Sequence, residues 1–466
     1  MPASDTMSRQ DAAHLLRRTG FGGSGGELSA LTGMTRETAV NAAMGFTSAD
    51  AAPPAPDVGE PGWVRNESQW EAQGDGIEWW VQRMADLGNP TSNPGVVPAT
   101  SAPLPLHEKM TLFWHEHFSC AQEKIFDFPV MWDQMRMYRR DGLGNFDALV
   151  RSTAVHSAML VFLDNQSNVA SGIQENFARE LMELYTCGVG NFTEQDVVSM
   201  ARAWTGHNTA GWTGSRWDAT YVYRSNEHDH QQKELFGITA NWNGIRVSGG
   251  ERDTITELVY GVKQQATARF IARKLFRYFA HLNPTDATIN SLADAFVGGG
   301  MEIAPLVRAI LLHDDFWGSA ARHGLVKSPV EFVTSLVRRS GLPANDMGLH
   351  WTMAPMGMTL FDPPSVAGWG QGEYWLGTVS AWARGGFARG QRWRAESAGL
   401  LAGLADSNND TAAANAIFDL FGLEEISATT RNAVERWHRR TYSASRWAAP
   451  PQGFLIGALC PEFQVY

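Results

Sequence analysis

The segment from Gln174 to His207 constrains the fold more than any other stretch, because it combines helical periodicity with a high density of charge. Apolar residues in its first half recur at helical spacing, which predicts a helix with one buried face. The turn Cys187–Asn191 contains two glycines and is typical of a helix C-terminus. Thr193, with Asp196 three residues later, is typical of a capping box that begins a second helix. The segment therefore predicts two packed helices near the middle of the chain.

The charges of this segment indicate either an ion-pair lattice or a binding site. Glu180 and Glu183 are three residues apart, so both carboxylates are expected on one side of the helix. Arg179 is four residues from Glu183 and is expected within pairing distance of it. Charged groups on a half-buried helix must pair with one another or bind a ligand. Arg179, Arg202 and Arg273 are the cations that would complete a purely structural lattice.

The composition excludes several classes of protein. The chain has 466 residues, of which 44% are hydrophobic, which is enough for a large core and excludes wholesale disorder. The net charge of -11 argues against nucleic acid as a partner, since phosphate binding needs a basic surface. No apolar run is long enough to predict a membrane span. The N-terminus lacks the apolar stretch of a secretory signal, and the three cysteines are odd in number, so we expect a reduced, cytoplasmic protein.

Helical periodicity extends over most of the chain, and one region departs from it. Residues 208–250 are rich in Gly, Trp, Asn and Thr, with alternating segments at 220–223 and 244–247, which predicts a small β-containing insertion. We therefore predict a mainly α fold, with a large multi-helical domain at 106–466 and N-terminal helices and Pro/Gly-rich loops at 1–105 packed on it. The predicted helices are 8–20, 69–87, 106–118, 128–146, 146–163, 175–187, 193–206, 253–260, 267–282, 286–296, 303–312 and 329–340.

The chain contains the motifs AAHLLRRTGFG, LFWHEHF, ENFARELMELYTCGVGNFTEQDVVSMARAWTG, HDHQQKELFG, VKSPVEFVTSLVRRSG and GMTLFDPPSVAGWGQGEYWL. These motifs are spread over nearly the whole chain and resemble, in sequence and order, a bacterial family known as domain of unknown function 1800. The resemblance implies a mostly helical fold and carries no established activity. Many relatives are exported and encoded beside a sulfatase-like protein, so the resemblance implies such a protein as a partner.

Two histidines in the motif WHEHF are candidate metal ligands. His115 and His117 are two residues apart, and on a helix they point about 200° away from each other. At most one of them is therefore expected to face a site. The alternative is a core histidine whose ring is hydrogen-bonded to a carboxylate or a carbonyl.

A second pair of histidines lies in the predicted insertion. His228, Asp229 and His230 are consecutive, and Lys233 follows closely. Two imidazoles and a carboxylate on a loop are suited to binding a metal or to acting as a general base. The alternative is a solvated polar loop, because three residues form a short motif.

Together these residues favour a metal-dependent enzyme, either a hydrolase or an oxidoreductase, whose site gathers the helix at 175–183, one of the two WHEHF histidines and the loop at 228–230. Imidazoles and carboxylates suit a divalent transition metal such as Mn, Fe or Zn. The candidate metal ligands are His115, His117, Glu180, His228 and His230. The candidate catalytic groups are Glu180, Glu183 and Asp229 for proton transfer, and Arg179 and Lys233 for holding an anionic substrate.

Two alternatives remain open at this level. In a metal-free enzyme the same side chains would carry out acid–base chemistry on an unidentified small-molecule, glycan or peptide substrate. In a non-catalytic helical binding or assembly protein, the charged motifs would form only a structural lattice. The sequence names neither the substrate nor the metal.

Overall fold

The computed structural model describes residues 5–45, 68–85, 105–211, 219–245, 250–344 and 347–466. Within these ranges the chain is mainly α-helical and its sheets have two strands each, which confirms the predicted fold class. None of the helices in these ranges is both long and apolar enough to cross a membrane.

The helices are α1 (Arg9–Thr19), α2 (Gly25–Leu31), α3 (Arg36–Met44), α4 (Gln69–Ala85), α5 (Pro105–His117), α6 (Gln122–Ile125), α7 (Phe128–Asp141), α8 (Phe146–Ala154), α9 (Ser157–Phe162), α10 (Asn176–Glu180), α11 (Glu194–Ala203), α12 (Thr254–Val259), α13 (Gln264–Phe279), α14 (Asp286–Gly298), α15 (Ile303–Leu312), α16 (Asp314–Trp317), α17 (Pro329–Ser340), α18 (Leu349–Met353), α19 (Thr378–Ser397), α20 (Asp410–Phe421), α21 (Ala428–Ala444), α22 (Ala449–Leu459) and α23 (Pro461–Gln464). A π-helix, Leu181–Tyr185, follows α10 directly.

Helix α5 lies at the centre of a continuous hydrophobic core, and most of its residues are buried. Two of its buried charged residues, Glu108 and Lys109, form ion pairs. Glu108 accepts hydrogen bonds from Arg83 of α4 at 2.7 Å and from Arg139 of α7 at 2.9 Å. Lys109 forms an ion pair with Glu331 of α17. These pairs fix α5 against three other helices, and the C-terminal end of α5 carries the motif WHEHF.

The described N-terminal helices contact helices of the rest of the chain. Arg308 of α15 donates to Asn41 of α3 at 2.8 Å, and Arg338 of α17 contacts both carboxylate oxygens of Glu27 at 2.7 Å. The predicted division near residue 105 stays a prediction, since residues 86–104 lie outside the described ranges.

The predicted β-containing insertion is confirmed, and it consists of three small sheets. Strand β1 (His207–Ala210) pairs antiparallel with β2 (Thr220–Tyr223), and β3 (Lys233–Leu235) pairs antiparallel with β4 (Ile238–Ala240). Strand β5 (Trp242–Asn243) pairs in parallel with β6 (Arg252–Asp253), with Asn243 opposite Asp253. The strand predicted at 220–223 is β2. Of the segment predicted at 244–247, residues 244 and 245 form a bend and the others lie outside the described ranges.

Two predicted helices are divided by local side-chain interactions. The helix predicted at 146–163 is two helices, α8 and α9, because Nδ1 of His156 accepts the backbone N–H of Ala158 at 3.2 Å and begins a new helix there. The helix predicted at 175–187 becomes a π-helix after Glu180, where Thr186 donates its hydroxyl to the carbonyl of Leu181 at 2.6 Å. The capping box predicted at Thr193 is confirmed.

Candidate functional site

The loop from His228 to Lys233 lies between β2 and β3 and is held against the end of α11. The backbone N–H of Asp229 donates to the hydroxyl of Thr205 at 2.8 Å. The Asp229 carboxylate pairs with Arg202 of α11 at 2.6 Å. Burial alone would raise the pKa of Asp229, but the hydrogen bonds from Arg202 and the backbone N–H of Gln231, with the charges of Lys233 and Arg202, together outweigh burial and lower it. Asp229 is therefore an ionised, paired group that shapes the loop.

Lys233 is buried beneath this loop and bonds to its backbone. Its ammonium group donates to the carbonyls of Gln231 at 2.9 Å and Trp242 at 3.2 Å, and also to the carbonyl of Asp229. Burial lowers the pKa of Lys233 to about 8. With its three donors directed at backbone carbonyls, Lys233 fixes the path of the loop and is not placed to hold an anionic substrate.

Gly206 allows the loop to approach β1 closely. Its φ of 77° lies in the left-handed region, and a Cβ atom there would lie 2.5 Å from the carbonyl oxygen of Arg224 and 3.1 Å from the backbone nitrogen of His228. A side chain at this position would push the loop away. The glycine thus sets the position of His228 relative to the sheet.

Each histidine of the loop donates one ring N–H to a backbone carbonyl. Nδ1 of His228 lies 2.8 Å from the carbonyl oxygen of Thr205, and Nε2 of His230 lies 2.9 Å from the carbonyl oxygen of Ser225. Because a carbonyl only accepts, the contacting nitrogen carries the hydrogen when each ring is neutral, and the other nitrogen keeps its lone pair. This arrangement is the one that metal-binding histidines usually show. Burial also lowers the pKa of His228, which favours its neutral form.

The third member of this group is Glu251, which the sequence analysis did not identify. One ligand atom from each of His228, His230 and Glu251 lies within 4.8 Å of the other two, and the described residues contain no other such group of three or more His, Cys, Asp or Glu. We call these three residues the metal cluster. His228 is buried, Glu251 is half-buried and His230 is exposed, so the cluster opens to solvent on one side.

A chain of hydrogen bonds positions Glu251. Asn243 donates its amide N–H to the Glu251 carboxylate at 3.1 Å, which fixes the amide orientation and directs the Asn243 oxygen to Nε2 of His207 at 2.6 Å. Nδ1 of His207 then accepts from the hydroxyl of Tyr221 at 2.9 Å. Burial lowers the pKa of His207 to about 3, so the ring stays neutral. Each hydrogen bond from Tyr221 to Glu251 therefore keeps the donor and acceptor just described.

The residues predicted on the helix at 175–183 do not join the metal cluster. The guanidinium group of Arg179 donates to both carboxylate oxygens of Glu194 of α11, at 2.7 and 2.9 Å. An ion pair between side chains is what the structural-lattice alternative expects of Arg179. Glu180 and Glu183 make no ion pair with any residue that the structure describes. Burial raises the pKa of Glu180, and the nearby carboxylate of Glu183 adds to the effect. These two residues stay candidates for proton transfer, at a place separate from the cluster.

The two histidines of WHEHF also lie outside the metal cluster, and both contact protein atoms. Nε2 of His115 accepts the backbone N–H of Phe361 at 3.1 Å, and burial lowers the pKa of this histidine to about 3. Nε2 of His117 donates to the carbonyl of Tyr185 at 3.1 Å, while its Nδ1 accepts from Lys274 at 3.0 Å. Both nitrogens of His117 are therefore engaged. The single site expected from the sequence is divided, and the candidate metal ligands that lie close together are all in the insertion.

The fold and the cluster together define a mainly helical protein with a candidate metal site on a small β-containing insertion. The chain belongs to the family described as protein of unknown function DUF1800, whose family model matches residues 14–465. A search of the curated proteins found no match, and a search of the solved structures found none.

Proposed function

We propose that the metal cluster binds one divalent transition metal and that the metal activates a bound water molecule for hydrolysis of a small-molecule substrate. The observation that carries this proposal is the pairing of each histidine with a backbone carbonyl, which leaves one lone pair on His228 and one on His230 beside the carboxylate of Glu251. Orientation of this kind favours the ligating tautomer before any metal arrives.

The donor set narrows the choice of metal. Two imidazoles and one carboxylate are the protein ligands of several zinc hydrolases, and the same set holds iron in non-haem oxygenases. Ligand atoms about 2.1 Å from a tetrahedral zinc ion lie roughly 3.4 Å apart. Rotation of the side chains of the exposed His230 and the half-buried Glu251 would bring the three ligand atoms to that spacing. Of the five ligands expected from the sequence, His228 and His230 enter this proposal, and Glu251 takes the place of the carboxylate.

Three protein ligands leave at least one coordination position for water. A metal in such a site lowers the pKa of bound water to about 7, so that hydroxide is present at neutral pH. His230 lies at the exposed edge, which gives a substrate access to that water. Asp229 is paired with Arg202, so it is not the general base in this proposal, and a metal held by His228, His230 and Glu251 would supply the activated water.

The test is elemental analysis of purified, tag-free protein after incubation with Mn, Fe or Zn salts and removal of excess metal. About one equivalent of a single metal is expected in the wild type and little in His230→Ala or Glu251→Gln. His281→Ala is the matched control, because the hydrogen bond that His281 makes among the described residues is local: its ring accepts the backbone N–H of Asn283 at 3.3 Å. Its metal content should equal that of the wild type.

The identity of the metal decides the chemistry. Zinc or manganese supports activation of water, whereas exclusive retention of iron would overturn the hydrolytic part and direct the search to dioxygen chemistry. Wild-type protein that retains no metal, or variants that retain as much as the wild type while remaining folded, would overturn the metal site itself.

A further inference from the structure

A cavity of about 350 Å³ lies beside the C-terminal end of α5, well separated in sequence from the insertion. One wall is α5, with Phe113 and Glu116, and a second wall is α13, with Lys274 and Arg277. The segment that follows Ala367 forms the third wall and contributes Trp369 and Gln371. A volume of this size is at the lower end of the range of about 300–1,000 Å³ found for small-molecule sites.

This third wall is the glycine-rich segment 368–372, and it is folded closely onto α5. Gly368 has a φ of 81°, and a Cβ atom there would lie 2.6 Å from the carbonyl oxygen of Glu116. This contact places Trp369 in the wall of the cavity, and its indole packs against His115 with ring centroids 5.5 Å apart. The wall is therefore set by backbone geometry and by aromatic packing.

Two cations face the cavity from one side of α13. Lys274 and Arg277 are three residues apart, so they lie on the same face of the helix. The ammonium group of Lys274 donates to His117 at 3.0 Å and to the carbonyl of Leu184 at 3.2 Å, and both acceptors are uncharged. Arg277 forms no ion pair with any described residue, and its buried Nε has no hydrogen-bond partner among them. Neither cation is neutralised by direct contact with a carboxylate.

The carboxyl group of Glu116 lines the same cavity without forming an ion pair or a hydrogen bond with the described residues. Burial raises its pKa to about 8, and the charge of Glu331 adds to this effect. A carboxyl group that is largely neutral does not compete with a ligand for the two cations.

We propose that this cavity binds a small organic monocarboxylate with an aromatic or apolar body, whose carboxylate lies between Lys274 and Arg277. The guanidinium group presents parallel donors that match a carboxylate, and a buried donor without a partner gains the most from such a ligand. Phe113, Leu282 and Trp369 provide apolar surface for the rest of the molecule. This apolar surface disfavours a phosphate dianion, which carries more charge to desolvate than a monocarboxylate does. The site is independent of the metal cluster.

The probe is 4-fluorobenzoate, observed by fluorine NMR during titration with full-length protein. Inorganic phosphate and 4-fluorobenzylamine serve as probes of different charge. Binding of 4-fluorobenzoate is expected to weaken at least tenfold in Arg277→Gln, as the loss of a charge-assisted pair implies. Arg273→Gln is the matched control, since Arg273 is on the same helix but pairs with Asp286 at 2.6 Å. It should bind as the wild type does.

The variant Arg277→Lys keeps the charge and removes the planar donor pair, so its affinity for 4-fluorobenzoate is expected to be intermediate. This variant tests the proposal even if Arg277→Gln does not fold. The proposal is overturned if 4-fluorobenzoate does not bind the wild type. Equal binding by Arg277→Gln and Arg273→Gln would also overturn it, as would a preference for phosphate or for the amine. Metal content is unaffected by these variants, so the two proposals fail separately.

Discussion

Replacing Glu108 with glutamine is expected to lower the free energy of unfolding by about 3–5 kcal/mol, the usual cost of removing one partner from a buried ion pair. Glu108 is fully buried and accepts from Trp80 at 2.9 Å as well as from Arg83 and Arg139. The uncharged amide of glutamine would leave two buried guanidinium groups without a counter-charge. Its NH2 group is also a donor, so only its carbonyl oxygen could accept from them.

The perturbed acidity of Glu108 gives the same magnitude. Burial by itself would raise its pKa, but Arg139 and Arg83 outweigh burial and lower the pKa from 4.5 to about 2. A change of this size corresponds to about 3 kcal/mol of interaction favouring the ionised form in the folded protein. Because the folded pKa is below the unfolded value, this stabilisation is present above pH 4.5 and is lost as the pH falls toward 2.

The assay is thermal denaturation followed by circular dichroism. An unfolding entropy of about 2.1 cal/mol/K per residue gives roughly 1 kcal/mol/K for a chain of this length unfolding as one unit. Glu108→Gln should therefore melt about 3–5 °C below the wild type at pH 7. Glu123→Gln, at an exposed position of α6, is the control and should be neutral. Equal melting of the two variants, or a difference that does not narrow below pH 4.5, would refute the reasoning.

Three further predictions concern the insertion. Asn243→Ala should weaken metal binding by about 10–100-fold, because Asn243 orients Glu251. Competition with a chromophoric chelator measures the affinity for the metal, and an unchanged affinity would contradict this role of Asn243. Gly206→Ala should destabilise the protein by about 1–3 kcal/mol, given the positive φ and the close carbonyl of Arg224; denaturant titration checks it, and wild-type stability would argue against a tight contact. Lys233→Met should cost about 1–3 kcal/mol by leaving buried carbonyls without their donor; it should also speed proteolytic cleavage of the loop, and an unchanged cleavage rate would show that the lysine does not hold it.

The helices could be predicted from the sequence to a large extent, because helical structure depends on interactions a few residues apart. The bounds of α15 and α17 agree with the periodicity, and the capping boxes that begin α11 and α17 are visible as local patterns. Predictions failed where a side chain competed with the regular pattern. The ring of His156 divides one predicted helix, and the residues after Glu180 adopt a π-helix.

The candidate sites depended more on tertiary structure. His228 and His230 are near neighbours in sequence and were recognisable as a pair, but Glu251 reaches them only because β5 and β6 pair in parallel beside the loop. Glu116 lies between two candidate histidines, and no pattern in the sequence distinguished it. The cavity that it lines forms where α13 and the glycine-rich segment pack against α5. Local periodicity fixed which residues are helical, since it acts over a few residues. Which carboxylates, imidazoles and cations meet was decided by packing between distant segments, whose contacts no short-range pattern records.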